Sequence, residues 1–129
     1  MNPNYFETHF EVPFAWTHRP AQFAIITAWA TTGEVWTDEQ NRAANERLET
    51  ELRSLRCWMQ PITGYSPATG HAEPGWAVAV GFDEAREIGT RYRQDAIYYV
   101  EGDMLTVSPC AGEESAVVGP FTERLTVAS

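Results

Sequence analysis

Two apolar segments constrain the fold of this chain most strongly. Residues 22–29 (QFAIITAW) have apolar side chains at both odd and even positions, which is typical of a strand buried on both faces. In residues 76–82 (WAVAVGF), large side chains alternate with alanine and glycine. The sequence therefore predicts that these two segments are the core strands of a sheet, and that another element packs closely on one face of the second strand.

The length and composition predict a single domain over residues 1–129. Of the 129 residues, 43% are hydrophobic, which is enough to form one core. We expect an amino-terminal strand or arm over residues 1–20, an α/β core over 21–108, and a tail or strand over 109–129. The longest apolar run is too short to cross a membrane, and the first residues do not resemble a signal peptide. We therefore expect a cytoplasmic protein with no membrane partner.

The charge balance bears on the kind of partner. The chain has 18 acidic and 9 basic residues, a net charge of −9, and every basic residue is arginine. Nucleic-acid binding depends on neutralising phosphates, so this balance predicts no direct contact with nucleic acid. The acidic surface either provides solubility or contacts a basic protein. Cys57 and Cys110 lack a metal-ligand spacing, and we expect reduced structural thiols.

A helix is predicted between the two core strands. Thr37 and Gln40 have the spacing of a capping box, in which each side chain bonds the other residue's backbone N–H. The helix should run to about Arg56. Its apolar stripe is predicted to comprise Ala44, Leu48, Leu52 and Leu55.

Shorter patterns predict the neighbouring elements. Residues 6–12 alternate apolar and polar side chains, as in a half-exposed strand. Residues 57–62 are a weaker strand, because Pro61 suits an edge or a strand end. Residues 63–75 contain three glycines and two prolines and are predicted to form a long loop, of a kind that is often functional.

The carboxyl-terminal half completes the predicted fold. Asp83 is expected to cap a second helix, and residues 96–108 to form a hairpin that turns at residues 101–103. From residue 22 the order is then strand, helix, strand, strand, helix, strand, which is the split βαβ order. We therefore predict an α+β fold: a ferredoxin-like two-layer plait with an extra amino-terminal strand and a carboxyl-terminal hairpin strand.

Two asparagines interrupt the predicted helix. On a helical wheel Asn41 lies within the apolar stripe and Asn45 lies beside it. Burying an amide without partners costs about 1 to 3 kcal/mol, so a partner is expected. Asn41 either ties down a neighbouring loop or strand end, or forms a polar wall for a ligand at the start of the helix.

The predicted long loop carries the only candidate acid–base pair. The segment His71-Ala72-Glu73-Pro74 is similar to the HxE element of zinc deaminases, but Pro109-Cys110 is not followed by the second cysteine of their PCxxC element. We therefore predict no metal site and no cofactor. His71 and Glu73 either form a general acid/base pair or are hydrogen-bonded within the loop.

Three further side chains are candidates for a site. Gln94 is predicted either to cap backbone carbonyls at the end of the second helix or to project towards the 63–75 loop. Trp36 precedes the capping box, where it can act as a hydrophobic staple or close over a ligand. Trp76 begins the second core strand, where a tryptophan is by default part of the core.

Five segments of the chain carry a family resemblance: Tyr5-x-x-Thr8-x-Phe10-x-Val12, FAIITAW, EQNRAANERLETEL, Glu73-Pro74, and the segment from Ala85 through Gln94-x-Ala96. Together they resemble the bacterial DUF3293 family, a domain of unknown function, over about residues 5–100. The family's asparagine-proline after its first strand is replaced here by residues 30–32 (ATT), and the glycine before its glutamine is Arg93. The resemblance implies no activity.

The function expected from these residues is that of a binding module rather than an enzyme, with a homodimer as one possible form. Its ligand would be small and polar, or nucleotide-like. One alternative is an acidic, protein-directed inhibitor or adaptor of the phage counter-defence type, and another is a hydrolase that uses His71 and Glu73. The expected pocket residues are Asn41, Asn45, Glu73, Trp76 and Gln94, with His71 and Trp36 beside them.

Overall fold

The computed structural model describes residues 3–30, 34–112 and 114–128, and its framework is an eight-stranded sheet with two helices. The helices are α1 (Asp38–Ser54) and α2 (Phe82–Arg91), and short 3-10 turns occupy Pro3–Phe6 and Phe121–Arg124. The strands are β1 (His9–Val12), β2 (Gln22–Thr27), β3 (Met59–Tyr65), β4 (Ala72–Val78), β5 (Ala96–Glu101), β6 (Met104–Pro109), β7 (Ala116–Pro120) and β8 (Leu125–Val127).

The sheet is strongly curled into a half-barrel, and the α+β class is confirmed. Its strand order is β7-β6-β5-β2-β4-β3-β1-β8, and neighbouring strands are antiparallel except for the parallel pair β1 and β8. The 3-10 turn Phe121–Arg124 connects β7 at one edge to β8 at the other. Because such a turn rises only about 2 Å per residue, this short connection requires the two edges to approach each other.

Both helices pack on one face of the sheet. Alternate residues of β2 serve the two faces: Ala24 and Ile26 pack under the helices, and Phe23 and Ile25 pack on the opposite, helix-free face. All four side chains are buried, so the prediction of a strand buried on both faces is confirmed. The helix-face core is completed mainly by Ala44, Leu48, Leu52, Val78, Ala85, Ile88, Ile97 and Tyr99.

The helix-free face has a second core, which is rich in aromatic residues. Phe121, from the turn between β7 and β8, is fully buried there. Its ring centroid lies 5.5 Å from that of Phe23, 6.0 Å from that of Phe10 and 6.2 Å from that of Trp16. The predicted tail or strand after residue 109 therefore supplies two edge strands and a core residue between them.

The start of α1 was predicted correctly, and its end to within two residues. Thr37 Oγ1 accepts a hydrogen bond from the Gln40 N–H at 3.1 Å, and Gln40 Oε1 accepts one from the Thr37 N–H at 2.8 Å, which confirms the capping box. The helix ends at Ser54, before Arg56, and Leu55 is 39% exposed. Leu55 therefore does not belong to the buried stripe, although as the C-cap residue it still has a right-handed helical conformation.

The prediction of a long loop over residues 63–75 is wrong. Its first residues complete β3 and its last residues begin β4, which leaves a connection of six residues, 66–71. Two of the segment's three glycines lie in these strands, and only Gly75 is needed for close packing. A Cβ at Gly75 would lie 2.5 Å from the Ile26 carbonyl oxygen, and one at Gly64 would lie 3.6 Å from Phe10 Cε1.

The second core strand is displaced from its predicted position. It runs over Ala72–Val78 rather than over residues 76–82, and Phe82 begins α2. The predicted cap at Asp83 is also wrong, because Gly81 is the N-cap residue and makes no side-chain capping bond. Asp83 lies in the first turn, where its charge suits the helix dipole.

The remaining strands agree with prediction in part. The β5–β6 hairpin is confirmed, with Gly102 in the turn at a φ of +62°. Of residues 6–12, only His9–Val12 form a strand, since the preceding residues form a 3-10 turn. Pro61 lies inside β3, but β1 pairs only with residues 63–65, so the edge at Pro61 is locally open.

The described part of the chain has no disulfide bond and no membrane-spanning helix. Cys57 and Cys110 are free thiols. None of the described helices is long and apolar enough to span a bilayer.

Candidate functional site

A cavity of about 490 Å³ opens beside the aromatic core, at the end of the sheet where β2 finishes and where β4 and β5 begin. Its walls come from residues 4–10, from the β3–β4 connection and from the ends of these strands. Thr27 continues the side of β2 that carries Ile25, and Glu73 shares the side of β4 that carries Ala77. The volume is within the range of small-molecule sites.

A chain of hydrogen bonds lines one side of this cavity. The Thr27 hydroxyl lies 3.0 Å from Gln94 Oε1 and 3.5 Å from Glu73 Oε1. His71 Nε2 lies 2.8 Å from Glu73 Oε2. Because a carboxylate only accepts hydrogen bonds, the hydrogen of this contact is on His71 Nε2. The fold thus brings together His71, Glu73 and Gln94, three residues predicted from sequence, around a threonine that was not predicted.

The backbone at the end of α2 places Gln94. The N–H of Gln94 donates to the Gly89 carbonyl at 2.9 Å, and the N–H of Arg93 donates to the Thr90 carbonyl at 3.0 Å. These two bonds, with Arg93 at a φ of +57°, form a Schellman motif. The residue after the left-handed position is thereby held against the last turn of the helix.

The Gln94 side chain then crosses to β2. Its Nε2 donates to the Trp29 carbonyl at 2.7 Å and to the Tyr92 carbonyl at 3.1 Å, while its Oε1 faces the Thr27 hydroxyl. The structure therefore combines the two predicted roles, because the side chain caps carbonyls and also lines the cavity. All the amide hydrogens of Gln94 are used within the protein.

Tyr5 and Tyr98 form a further part of the cavity lining, the tyrosine wall. The Tyr98 hydroxyl donates to the Tyr5 carbonyl at 2.7 Å, and the two rings meet edge to face at 6.3 Å. Burial raises the pKa of Tyr5 to about 12 and raises the pKa of Tyr98 well above its usual value, and the nearby Glu73 carboxylate adds to both shifts. Both phenols therefore stay neutral at physiological pH and present apolar ring surface.

The amino-terminal wall is fastened by the carboxyl-terminal segment. Arg124 Nη1 donates to the Phe6 carbonyl at 2.6 Å and to the Thr8 carbonyl at 3.1 Å. Arg124 belongs to the same 3-10 turn as the buried Phe121. The position of this wall therefore depends on the docking of the last strands.

The other predicted residues lie on the opposite face of the sheet. Asn41 is 4% exposed, and its Oδ1 accepts the Ala30 N–H at 2.8 Å. This bond agrees with the structural interpretation of Asn41, in which its amide ties down the segment after β2. Trp36 and Trp76 pack with the helix-face core, and the buried atoms Asn45 Oδ1 and Trp76 Nε1 have no hydrogen-bond partner.

The segment that holds most of these residues also identifies the family. The family described as "Protein of unknown function (DUF3293)" matches residues 26–97, which is more than half of the chain. The chain belongs to the DUF3293 family. No curated protein and no solved structure matches it.

The DUF3293 segment contains the hydrogen-bonded side of the cavity but not the tyrosine wall. Thr27, Glu73 and Gln94 lie within residues 26–97, and Tyr5 and Tyr98 lie outside. Of the two departures from the family pattern, Arg93 occupies a left-handed conformation that glycine adopts more easily. In the other departure, at residues 30–32, only Ala30 lies within the described residues.

We expect Arg93→Gly to stabilise this DUF3293 protein by about 0.5 to 1 kcal/mol. Glycine removes the left-handed penalty of about 1 to 2 kcal/mol, and part of that gain is offset by its greater backbone freedom in the unfolded chain. Chemical denaturation would measure the change. Arg47→Gly, at an exposed interior position of α1, is the control and should destabilise by about 1 kcal/mol. Equal losses in both variants would contradict the prediction.

Sequence reasoning missed Thr27, Tyr5 and Tyr98 as cavity residues. Thr27 was visible as the polar residue inside an apolar strand, and Tyr5 opens the amino-terminal motif of the family resemblance. Tyr98 had no such signal, because a tyrosine in an apolar strand is usually a core residue. Only the pairing of β2 with β5 places it beside Ile25.

Proposed function

We propose that this DUF3293 protein is a binding module that takes a small polar or nucleotide-like ligand into the cavity. The observation that supports this proposal is the polar set Thr27, Glu73 and Gln94, which lines the cavity together with the neutral tyrosines Tyr5 and Tyr98. Binding sites for small molecules commonly combine apolar and aromatic walls with a few fixed polar groups. A flat, polar ligand would pack against the tyrosine rings and bond the polar side.

The proposal is tested by ligand-dependent thermal stability. Purified protein is screened against a panel of nucleosides, nucleotides and amines, and mass spectrometry identifies any compound that co-purifies. A ligand present at 100 times its Kd should stabilise the fold by about 2.7 kcal/mol, which raises Tm by several degrees.

A cavity variant and a matched control sharpen this test. Ala68 is exposed and lines the cavity, so Ala68→Trp should remove the thermal shift without loss of core packing. Ala111 is exposed and lies outside the cavity lining, so Ala111→Trp should keep the shift. A shift that survives in Ala68→Trp, or no shift with any compound, would count against the proposal.

A second candidate is hydrolysis, which the contact between His71 and Glu73 favours. His71 Nε2 faces the carboxylate at 2.8 Å, which leaves Nδ1 available as a base when the ring is neutral. The same panel, read for products by mass spectrometry, tests this candidate. An acidic, protein-directed inhibitor stays a prediction that rests on the net charge of −9.

We also propose that the fold contains a ferredoxin-like plait. Support comes from the central strand order β5-β2-β4-β3, which is antiparallel throughout, with both helices on one face. In this proposal β1, β6, β7 and β8 are additions that curl the sheet and build the aromatic core. The cavity would then lie between the plait and its additions.

A further inference from the structure

We propose that the cavity selects a small organic cation, one that carries an ammonium, amidinium or guanidinium group recognised by Glu73. This inference rests on the proposed binding function and names the class of ligand. The inferred ligand carries a positive charge and donates hydrogen bonds, and ligands with phosphate groups are expected to bind poorly.

Four residues of the cavity lining already use their side-chain hydrogen-bond donors within the protein. The Thr27 hydroxyl donates towards Gln94 Oε1, and the Gln94 amide donates to two backbone carbonyls. The Tyr98 hydroxyl donates to another carbonyl, and His71 Nε2 is directed at Glu73. A ligand that needs donors from these four residues would have to break existing bonds.

Acceptors, in contrast, remain available. A carboxylate has about four acceptor sites. Of these, Glu73 uses one for His71 at 2.8 Å, while the Thr27 hydroxyl, 3.5 Å away, directs its hydrogen to Gln94 Oε1. The unused acceptors on this side of the cavity therefore suit a ligand that donates several hydrogen bonds. Charged donors form stronger hydrogen bonds with carboxylates than neutral donors do.

The charges in the cavity lining also favour a cationic ligand. The described lining residues include three carboxylates, those of Glu7, Glu34 and Glu73, and no arginine. The nearby Arg124 guanidinium donates to two backbone carbonyls of the amino-terminal wall. The chain has no lysine, and the His71 ring is already directed at Glu73, so a phosphate in the cavity would face more carboxylates than cations.

The aromatic wall also suits a cation. Tyr5 and Tyr98 belong to the cavity lining, and Tyr5 is the more exposed of the two, so its ring is available to a cation, which the ring quadrupole attracts. Glu73 is close enough to both tyrosines to raise their pKa values. In this proposal, a planar amidinium donates hydrogen bonds to the Glu73 carboxylate and contacts a tyrosine ring.

A series of matched probes tests the inference. Benzamidine, benzamide and benzoate have nearly the same shape and differ in charge, and agmatine is a cation without an aromatic ring. Their affinities are measured at low salt by NMR titration, which also shows whether Thr27 and Ala96 respond. We expect benzamidine to bind at least ten-fold more tightly than benzamide, agmatine to bind, and benzoate to bind more weakly than either.

Charge-neutral variants identify the recognising group. Glu73→Gln should lower the affinity for benzamidine at least ten-fold, and Glu7→Gln and Glu34→Gln should each lower it less, because both residues are exposed. Glu84→Gln removes the same charge from an exposed position on α2, outside the cavity, and should leave the affinity unchanged. The melting temperature of each variant shows whether it is folded. If Glu73→Gln does not fold, the inference is tested by the probe series and by the affinities of Glu7→Gln and Glu34→Gln for benzamidine.

The outcomes separate this inference from the proposed function. If a nucleotide or benzoate binds in the cavity as tightly as benzamidine, or if Glu73→Gln binds benzamidine normally, the cation inference is overturned while the binding function stands. If no probe and no panel compound binds the wild-type protein, both fail. Charge-dependent binding that Glu73→Gln removes and Glu84→Gln keeps would support both.

Discussion

Gly75→Ala is expected to destabilise the protein by at least about 3 kcal/mol. The added Cβ would lie 2.5 Å from the Ile26 carbonyl oxygen and 2.8 Å from Thr27 Cγ2, both on the neighbouring strand β2. The first of these atoms belongs to the backbone of a central strand, so relief requires the two strands to separate. Urea denaturation would measure the loss.

Gly64→Ala is the matched control for this prediction. Gly64 lies in β3, which pairs with the strand of Gly75, and a Cβ there would meet its nearest atoms, in Thr8 and Phe10, at 3.4 and 3.6 Å. These are ordinary contacts, and we expect a change within about 1 kcal/mol. If Gly75→Ala were tolerated as well as Gly64→Ala, the prediction that β2 and β4 are too close for a side chain at residue 75 would be wrong. Because Gly75 pairs with Thr27, the variant should also weaken ligand binding.

Phe121→Ala is expected to cost about 3 to 5 kcal/mol. The ring is fully buried and packs against Phe10, Phe23 and Trp16, and its removal would leave a cavity in the helix-free core. Circular dichroism on heating and in urea would measure the change. Since Phe121 shares its turn with Arg124, the amino-terminal wall of the ligand cavity should loosen as well.

The control for Phe121 is Val117→Ala in the same carboxyl-terminal segment. Val117 is 61% exposed in the edge strand β7, so its truncation should change the free energy of unfolding by less than about 0.5 kcal/mol. A Phe121→Ala protein as stable as Val117→Ala would show that the last strands do not dock against the core.

The candidate site could be predicted only in part. His71, Glu73 and Gln94 were predicted from local motifs, and the structure places them around one cavity. Asn41 was recognised from its place on the buried side of a helix, and it is buried as expected, but it lies on the helix side of the sheet, where its amide holds the backbone of Ala30 instead of facing the cavity. Periodicity shows that a residue faces inward, whereas it does not show which of two cores the residue faces.

Glycine was the main source of error in the predicted strands. Three glycines and two prolines made residues 63–75 a predicted loop, yet Gly64 and Gly75 lie in paired strands. In the sequence, a glycine that permits a turn looks the same as a glycine that permits the close approach of a neighbouring strand. The contact of Gly75 with β2 involves residues almost fifty positions apart, so no local pattern contains it.

Short-range chemistry was enough to determine much of this protein from its sequence. The capping box of α1, the burial of β2 on both faces and the β5–β6 hairpin depend on residues within a few positions of one another, and all three were predicted. Only the tertiary structure decided that the last strands join the two edges of the sheet, that Phe121 fills the second core and that the cavity lies on the helix-free face. These features depend on the curvature of the whole sheet, which results from the pairing of strands distant in sequence.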